Sequence, residues 1–276
     1  MKTLIAGPWV GEFGWELFAW QGYIRAMAKK FDKTIIISRK NSKAIYDDFA
    51  DEYVSYDPIG GDADSFFMHG VDFKSCIKEV FSKNNFVLNK DTSLFIPRRI
   101  GIPPFTHHTQ HMILGNHIIQ PEYLSFGEEA EKQYDYIFHI RNRNLRKKDN
   151  WSLENWKKLK HLLGDKKIAC IGTKKESGHL EGTEDLRDIE LSKLFNVLKG
   201  AECCFGPSSG PMHLASLCGC PHVVWSLASD KIRYEENWNP LNTRVLFDSK
   251  YEWHPDPEYI YEQFTSWSAR EKIINE

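Results

Sequence analysis

Along the chain, short unbroken apolar runs trade places with longer stretches whose apolar residues recur every three or four positions. The runs are KTLIA (2–6), KTIIIS (33–38), YVSYD (53–57), YDYIFHI (134–140), KIACIGT (167–173), ECCFG (202–206) and PHVVWS (221–226). Runs this short and this apolar fit strands buried on both faces, as in parallel sheets. The periodic stretches predict helices. In ELFAWQGYIRAMAKKF (16–31) the apolar stripe is Leu17, Trp20, Ile24, Met27 and Phe31. WSLENWKKLKHLLG (151–164) adds a Ser152 N-cap, and ELSKLFNVLKGA, PMHLASLCG and DPEYIYEQFTSWSAREKI complete the set.

Strand and helix alternating in this way predict an α/β protein with largely parallel sheets. Residues 58–125 resist the pattern, holding two Pro/Gly-rich turns at 57–61 and 96–104. The charged, turn-prone segment PEYLSFGEEAEKQ after them suggests a boundary, giving an N-terminal domain over 1–125 and a C-terminal domain over 126–276. Each half shows a strand running into a glycine-bearing turn and then a helix.

Composition narrows the class. The chain has 276 residues, 41% hydrophobic and 27% charged, the profile of a soluble globular protein. A formal net charge of −2 removes a global basic field for nucleic acid or anionic membrane. No apolar run is long enough to span a bilayer, and MKTLIAGPWVGEFG reads as a first strand rather than a signal peptide. The six cysteines are Cys76, Cys170, Cys203, Cys204, Cys218 and Cys220. They read as buried reduced thiols, which points to a cytoplasmic location. Cys218-Gly-Cys220 has no second pair to complete a zinc site.

The strongest local signal is ECCFGPSSGPMHLASLCGCPHVVW (202–225). A buried strand ends at Gly206, a turn Pro207-Ser208-Ser209-Gly210 follows, and Pro211 stands where a first helical residue would. The amides of Met212, His213 and Leu214 then belong to a helix start, and with the helix dipole they suit an anion. Ser208 and Ser209 add hydroxyls, and Gly210 allows close approach. An ordinary strand–turn–helix accounts for the same residues without a ligand.

SGPMHLASLCGCPHVVW resembles the signature of the lipopolysaccharide heptosyltransferase family, and LASDKIRYEENWNPLNTRVLF after it has a similar layout. The likeness is specific over about residues 200–247 and general elsewhere. It implies two Rossmann-like parallel-sheet domains facing a cleft, the fold called GT-B. The donor diphosphate would lie at the helix start of the C-terminal half. It implies a glycosyltransferase, inverting and metal-independent, with a nucleotide sugar as co-substrate and no cofactor.

Other residues fit that expectation to different degrees. Arg141 and Arg143 follow the strand YDYIFHI, at the strand end where open α/β sheets bind ligands, and can fork onto phosphate. Their His-Ile-Arg context is similar to a short fucosyltransferase motif. A solvated charge run is the alternative, and Lys147 and Lys148 fit it better. Lys174, past KIACIGT, is a further phosphate candidate. Glu235 could accept from ribose hydroxyls and Trp238 could stack on a base.

The stretch GPWVGEFGWELFAW (7–20) combines glycines, glutamates and tryptophans just after the first strand. In the resembling family the base is an acid in this loop, immediately after a Gly-x-x-Gly. Here Trp15 holds that place, and Glu12 and Glu16 flank it, so both are candidate bases, Glu12 slightly preferred. Trp9 and Trp15 are candidates for acceptor contact, while Trp20 has core spacing. His107 and His111, in HHTQHMILGNH, could line the acceptor site, since no acidic ligand accompanies them for a metal.

A dinucleotide-dependent oxidoreductase is the competing reading of Gly7, Gly11 and Gly14 with Arg39 and Lys40, but the glycine spacing is wrong and the second cradle goes unexplained. An epimerase or hydrolase on the same scaffold would use the same donor cradle, as would a non-catalytic sugar-nucleotide or glycan-binding protein. A glycan or lipid-linked acceptor is the default partner. A modified nucleic-acid base is the minority one, carried by the Arg98-Arg99 and 141–148 basic stretches.

Overall fold

The apolar runs become the strands of two parallel sheets, and the periodic stretches become the helices between them. The structure, a computed structural model, describes residues 1–57, 71–97, 112–114, 117–129 and 131–274. The chain divides into two units, Met1–Tyr123 and Leu124–Glu276.

In the first unit, β1 (Thr3–Ala6), β2 (Lys33–Ser38), β3 (Glu52–Ser55) and β4 (Thr92–Phe95) form a four-stranded parallel sheet in the order β3-β2-β1-β4. The central strand β1 is covered on both faces, which is why Leu4, Ile5 and Ala6 are all apolar and buried. A short antiparallel pair, β5 (Met112–Leu114) and β6 (His117–Ile119), stands apart from that sheet. Neither β4 nor this pair was legible in the sequence.

The chain leaves β1 at Gly7, whose φ of +125° only glycine adopts without strain, and a Cβ there would lie 2.1 Å from the Ile37 carbonyl oxygen. The first helix then runs through three pieces: Phe13–Glu16, a π-turn Leu17–Gln21, and Gly22–Ala28. Leu17, Trp20, Ile24 and Met27 are buried as their spacing predicts. The wide turn disturbs the carbonyl ladder, and the Gln21 side-chain amide donates to the Leu17 carbonyl at 3.0 Å, replacing one bond of that ladder.

The second unit holds β7 (Tyr136–Phe138), β8 (Ile168–Cys170), β9 (Glu184–Asp185), β10 (Cys203–Pro207), β11 (His222–Trp225) and β12 (Val245–Asp248). Their order is β12-β11-β10-β7-β8-β9, all parallel. Counted from β7, that is the 3-2-1-4-5-6 arrangement of dinucleotide-binding sheets, whose direction of winding reverses between β7 and β10. Helix Leu153–Leu163 starts on Ser152, whose hydroxyl accepts the Asn155 amide at 3.1 Å. A cap of this kind stabilises a helix by about 1 kcal/mol. Under it lies an aromatic core in which Phe138 meets Trp156 at 4.9 Å and Trp151 meets Trp225 at 4.8 Å between ring centroids.

Candidate functional site

Open α/β sheets bind ligands beyond the carboxyl ends of the strands at the point where winding reverses. In the second unit this is the end of β10 and the turn that follows. The chain passes through Ser208 and Ser209 into helix Gly210–Leu217, with Ser209 as the N-cap in extended backbone, φ −170°. Proline lies in the first turn, one position later than the sequence predicts, because the helix starts on Gly210. Gly206 is required on β10: a Cβ would lie 2.7 Å from Met212 Sδ and 3.2 Å from the His139 carbonyl oxygen.

Which amides face outward differs from expectation. The His213 N–H donates to the Ser209 carbonyl at 3.1 Å, and Leu214 is deep enough in the helix to find an intrahelical acceptor. Helix geometry leaves Gly210 and Met212 as the first-turn amides with no intrahelical acceptor, Pro211 having no N–H. The side chains of Met212, His213 and Leu214 are all buried and turn inward. Their part in the turn is to hold it: Met212 packs against Cys204, and His213 stacks on Tyr234 with centroids 4.2 Å apart.

The serines complete the turn. The Ser208 N–H donates to the Trp225 carbonyl at 3.1 Å, so the turn is tied to the end of β11. The Ser209 N–H donates to the Tyr234 hydroxyl at 3.0 Å, and that hydroxyl is 3.1 Å from Ser208 Oγ. The Ser209 hydroxyl is buried and meets no hydrogen-bond partner among the described residues. A buried unmet hydroxyl costs about 1–3 kcal/mol. A ligand oxygen at the helix start would supply the missing partner.

The neighbouring cations are placed otherwise than expected. Arg141 is buried and donates to Asn150 Oδ1 at 2.6 Å and to the carbonyls of Arg146 at 3.3 Å and Leu145 at 3.5 Å. It shapes the 142–150 loop instead of standing open to phosphate. Asn150 returns the tie, accepting the Arg143 N–H at 3.2 Å and donating to its carbonyl at 2.9 Å. The Arg143 guanidinium is 3.5 Å from Glu176. Lys174 is exposed in the loop after β8. His139, buried where β7 ends, has its pKa pushed down to about 4 by burial, so it is neutral.

Trp238 does not offer a face for stacking on a base. It is 3% exposed, in a T-shaped contact with His213 whose centroids are 4.7 Å apart, and the Arg233 guanidinium is 4.8 Å from its centroid. Glu235 is on the surface, 3.3 Å from Lys231.

In the first unit, Trp9 is a core residue and not an acceptor contact. It is 0% exposed, its indole N–H donates to the Gly11 carbonyl at 3.1 Å, and its ring lies 5.6 Å from that of Trp20. Trp15 is half-buried. The two glutamates separate clearly. Glu16 is fully buried and accepts hydrogen bonds from the hydroxyls of Ser42 at 2.7 Å, Tyr46 at 2.8 Å and Ser38. Burial raises its pKa against the opposing pull of Arg39 and those hydroxyls. Its carboxylate is spent on binding the first helix to β2. Glu12 is half-buried, stands at the N-cap of Phe13–Glu16, and makes no capping bond with its side chain. His107 and His111 lie outside the described residues.

No protein-family model matches the sequence, and no curated protein sequence does. Solved structures match along nearly the whole chain. The E. coli ADP-heptose lipopolysaccharide heptosyltransferase II superposes with a TM-score of 0.61 at 14% identity, over 99% of this chain and 100% of that one. E. coli heptosyltransferase WaaC with ADP gives 0.60 at 14%, over 96% and 99%. A glycosyl transferase family 9 structure from Veillonella parvula gives 0.56 at 11%, over 90% and 87%. The chain has the GT-B fold.

Two residues of this GT-B protein that shape the site escaped the sequence. Tyr234 ties the 208–210 turn to the following loop, and Asn150 anchors the loop after β7. A single aromatic inside the polar stretch KIRYEEN was a visible signal for the first, since an apolar ring amid charges must find something to cover it. No local signal marks Asn150, because its partner Arg141 lies nine positions away across a turn. No helix among the described residues is long and apolar enough to cross a membrane.

Proposed function

We propose that this protein is a glycosyltransferase that moves a sugar from a nucleoside-diphosphate sugar to an acceptor hydroxyl. The observation that carries the proposal is the turn after β10: a buried Ser209 hydroxyl lacking a partner among the described residues, beside two first-turn amides, at the winding reversal of a 3-2-1-4-5-6 sheet. These are all donors, and a diphosphate offers only acceptors. The heptosyltransferase structures, one of them with ADP, support the donor class.

In the reaction, the acceptor oxygen attacks the anomeric carbon, the bond from that carbon to the diphosphate breaks, and the proton of the acceptor hydroxyl passes to a carboxylate. The helix dipole and the donors of the turn stabilise the charge that develops on the leaving diphosphate. A direct displacement of this kind inverts the anomeric centre and uses protein donors where other enzymes use a metal. Glu12 is the base, since Glu16 is occupied by three hydroxyls. The acceptor is a glycan or a lipid-linked sugar.

A thermal-shift panel of ADP, GDP, UDP and CDP tests the donor site, because a ligand of the native state alone raises its stability. At least one should raise the melting temperature, and a flat response to all four defeats the proposal. Glu12→Gln should then lower turnover by about 10²–10⁴-fold with donor affinity unchanged. Undiminished turnover in that variant removes Glu12 from the mechanism.

A further inference from the structure

Tyr234 is bonded and buried in a way its neighbours do not explain. It belongs to the π-turn Arg233–Asn237, between exposed Ile232 and exposed Glu235, yet it is 0% exposed itself. Its ring lies flat on His213, 15° from parallel, and that imidazole also makes a T-shaped contact with Trp238. The phenol is therefore held in place from the ring side, and its oxygen reaches the turn after β10.

The direction of each hydrogen bond at that oxygen is determined. The Ser209 N–H, 3.0 Å away, can only donate, so the phenol oxygen accepts there. The phenol keeps its own proton, since burial pushes its pKa well above the usual tyrosine value. The phenol is fully buried, so that proton needs an acceptor from the protein, and Ser208 Oγ stands at 3.1 Å. Ser208 then receives at its oxygen, and its own hydrogen points away from Tyr234.

We propose that Tyr234 is a positioning residue of the diphosphate site, which turns the Ser208 hydroxyl into a donor aimed at a phosphoryl oxygen and fixes the Ser209 backbone beside it. The proposal rests on the donor-site reading above. A hydroxyl already oriented loses less rotational freedom when the anion arrives than one that must first be ordered. It is also polarised, because a hydroxyl accepting one bond donates a stronger second one.

The test uses inorganic pyrophosphate as the probe, since it carries no base, with affinity measured by calorimetry at low ionic strength for Tyr234→Phe, Ser208→Ala, the double variant and Ser208→Thr. Phenylalanine keeps the ring stack and removes only the oxygen. Each single variant should weaken pyrophosphate about tenfold, the worth of one charge-assisted hydrogen bond. The double variant should be no weaker than Tyr234→Phe alone, and Ser208→Thr should bind like wild type. Losses that multiply in the double variant, or Tyr234→Phe binding within twofold of wild type, overturn the proposal. If Tyr234→Phe does not fold, the serine pair carries the test, and Ser208→Ala binding as tightly as Ser208→Thr overturns it. Failure of the donor-site reading looks different: wild type then binds no pyrophosphate, and the inference falls with it.

Discussion

Tyr46 donates its hydroxyl hydrogen to Glu16 Oε1 at 2.8 Å, in a site where both residues are fully buried. With Ser38 and Ser42 it forms a ring of hydroxyl donors around one carboxyl group, which fastens the helix after β1 to the end of β2. Glu16→Ala strands three buried hydroxyls and should cost about 2–4 kcal/mol in denaturant unfolding. Burial raises the carboxyl's pKa from 4.5, so the folded state holds this proton longer than the unfolded chain does. This group's contribution therefore falls as pH rises from 4.5 to the raised native value, and is constant above it. Glu16→Gln should remove that fall, which unfolding curves of the two proteins from pH 4.5 upward would compare.

Three buried histidines act in the opposite sense. Burial pushes His139 and His222 down to about 4 and His213 well below 6.5, so all three fold neutral. The unfolded chain takes up their protons once pH drops through 6.5, and stability falls by about 1.4 kcal/mol per pH unit for each fully responding site. Melting temperatures measured from pH 8 to pH 5 should decline, and His222→Asn should reduce the histidine part of the slope by about a third.

Arg141→Ala removes the guanidinium that holds two carbonyls and the Asn150 side chain. The 142–150 loop should loosen, with a stability loss of about 2 kcal/mol. Trypsin checks the local effect directly, because Arg146, Lys147 and Lys148 are exposed on that loop. Cleavage there should accelerate several-fold in the variant. Arg141→Lys should not rescue it, since an ammonium cannot span the same three acceptors.

Gly206→Ala places a methyl group 2.7 Å from Met212 Sδ. The sulfur is the far end of a flexible chain, but the His139 carbonyl at 3.2 Å limits how the strand can shift. Overpacking of this kind costs about 1–3 kcal/mol. Pairing it with Met212→Ala should recover part of the loss, read from the double variant's unfolding free energy.

The sheets were legible because a parallel strand buried on both faces must be an apolar run. KTIIIS and ECCFG correspond closely to β2 and β10, and Ser152 marked its helix by the chemistry of its side chain. β4 escaped because its four residues, TSLF, are half polar and sit among turns. Within the site, the sequence located the turn after β10 but misjudged the residues around it. Loop membership suggested exposure for Trp9 and Trp238, yet both loops fold back onto the core and bury them. The strand-end position of Arg141 was legible, but what its guanidinium would meet was not. Between Glu12 and Glu16 the sequence offered only a slight preference for Glu12, and the hydroxyls of β2 and the turn after it set the two apart.

The turn after β10, the tyrosine that tethers it and the histidine and tryptophan that back it all come from one uninterrupted stretch, residues 203–238. The rest of the protein supplies the scaffold for that stretch, with Asn150 and Arg141 shaping the loop after β7. Such a cassette can be exchanged as a block. Swapping it between chains with this sheet order should leave the first unit's sheet and its buried Glu16 cluster intact.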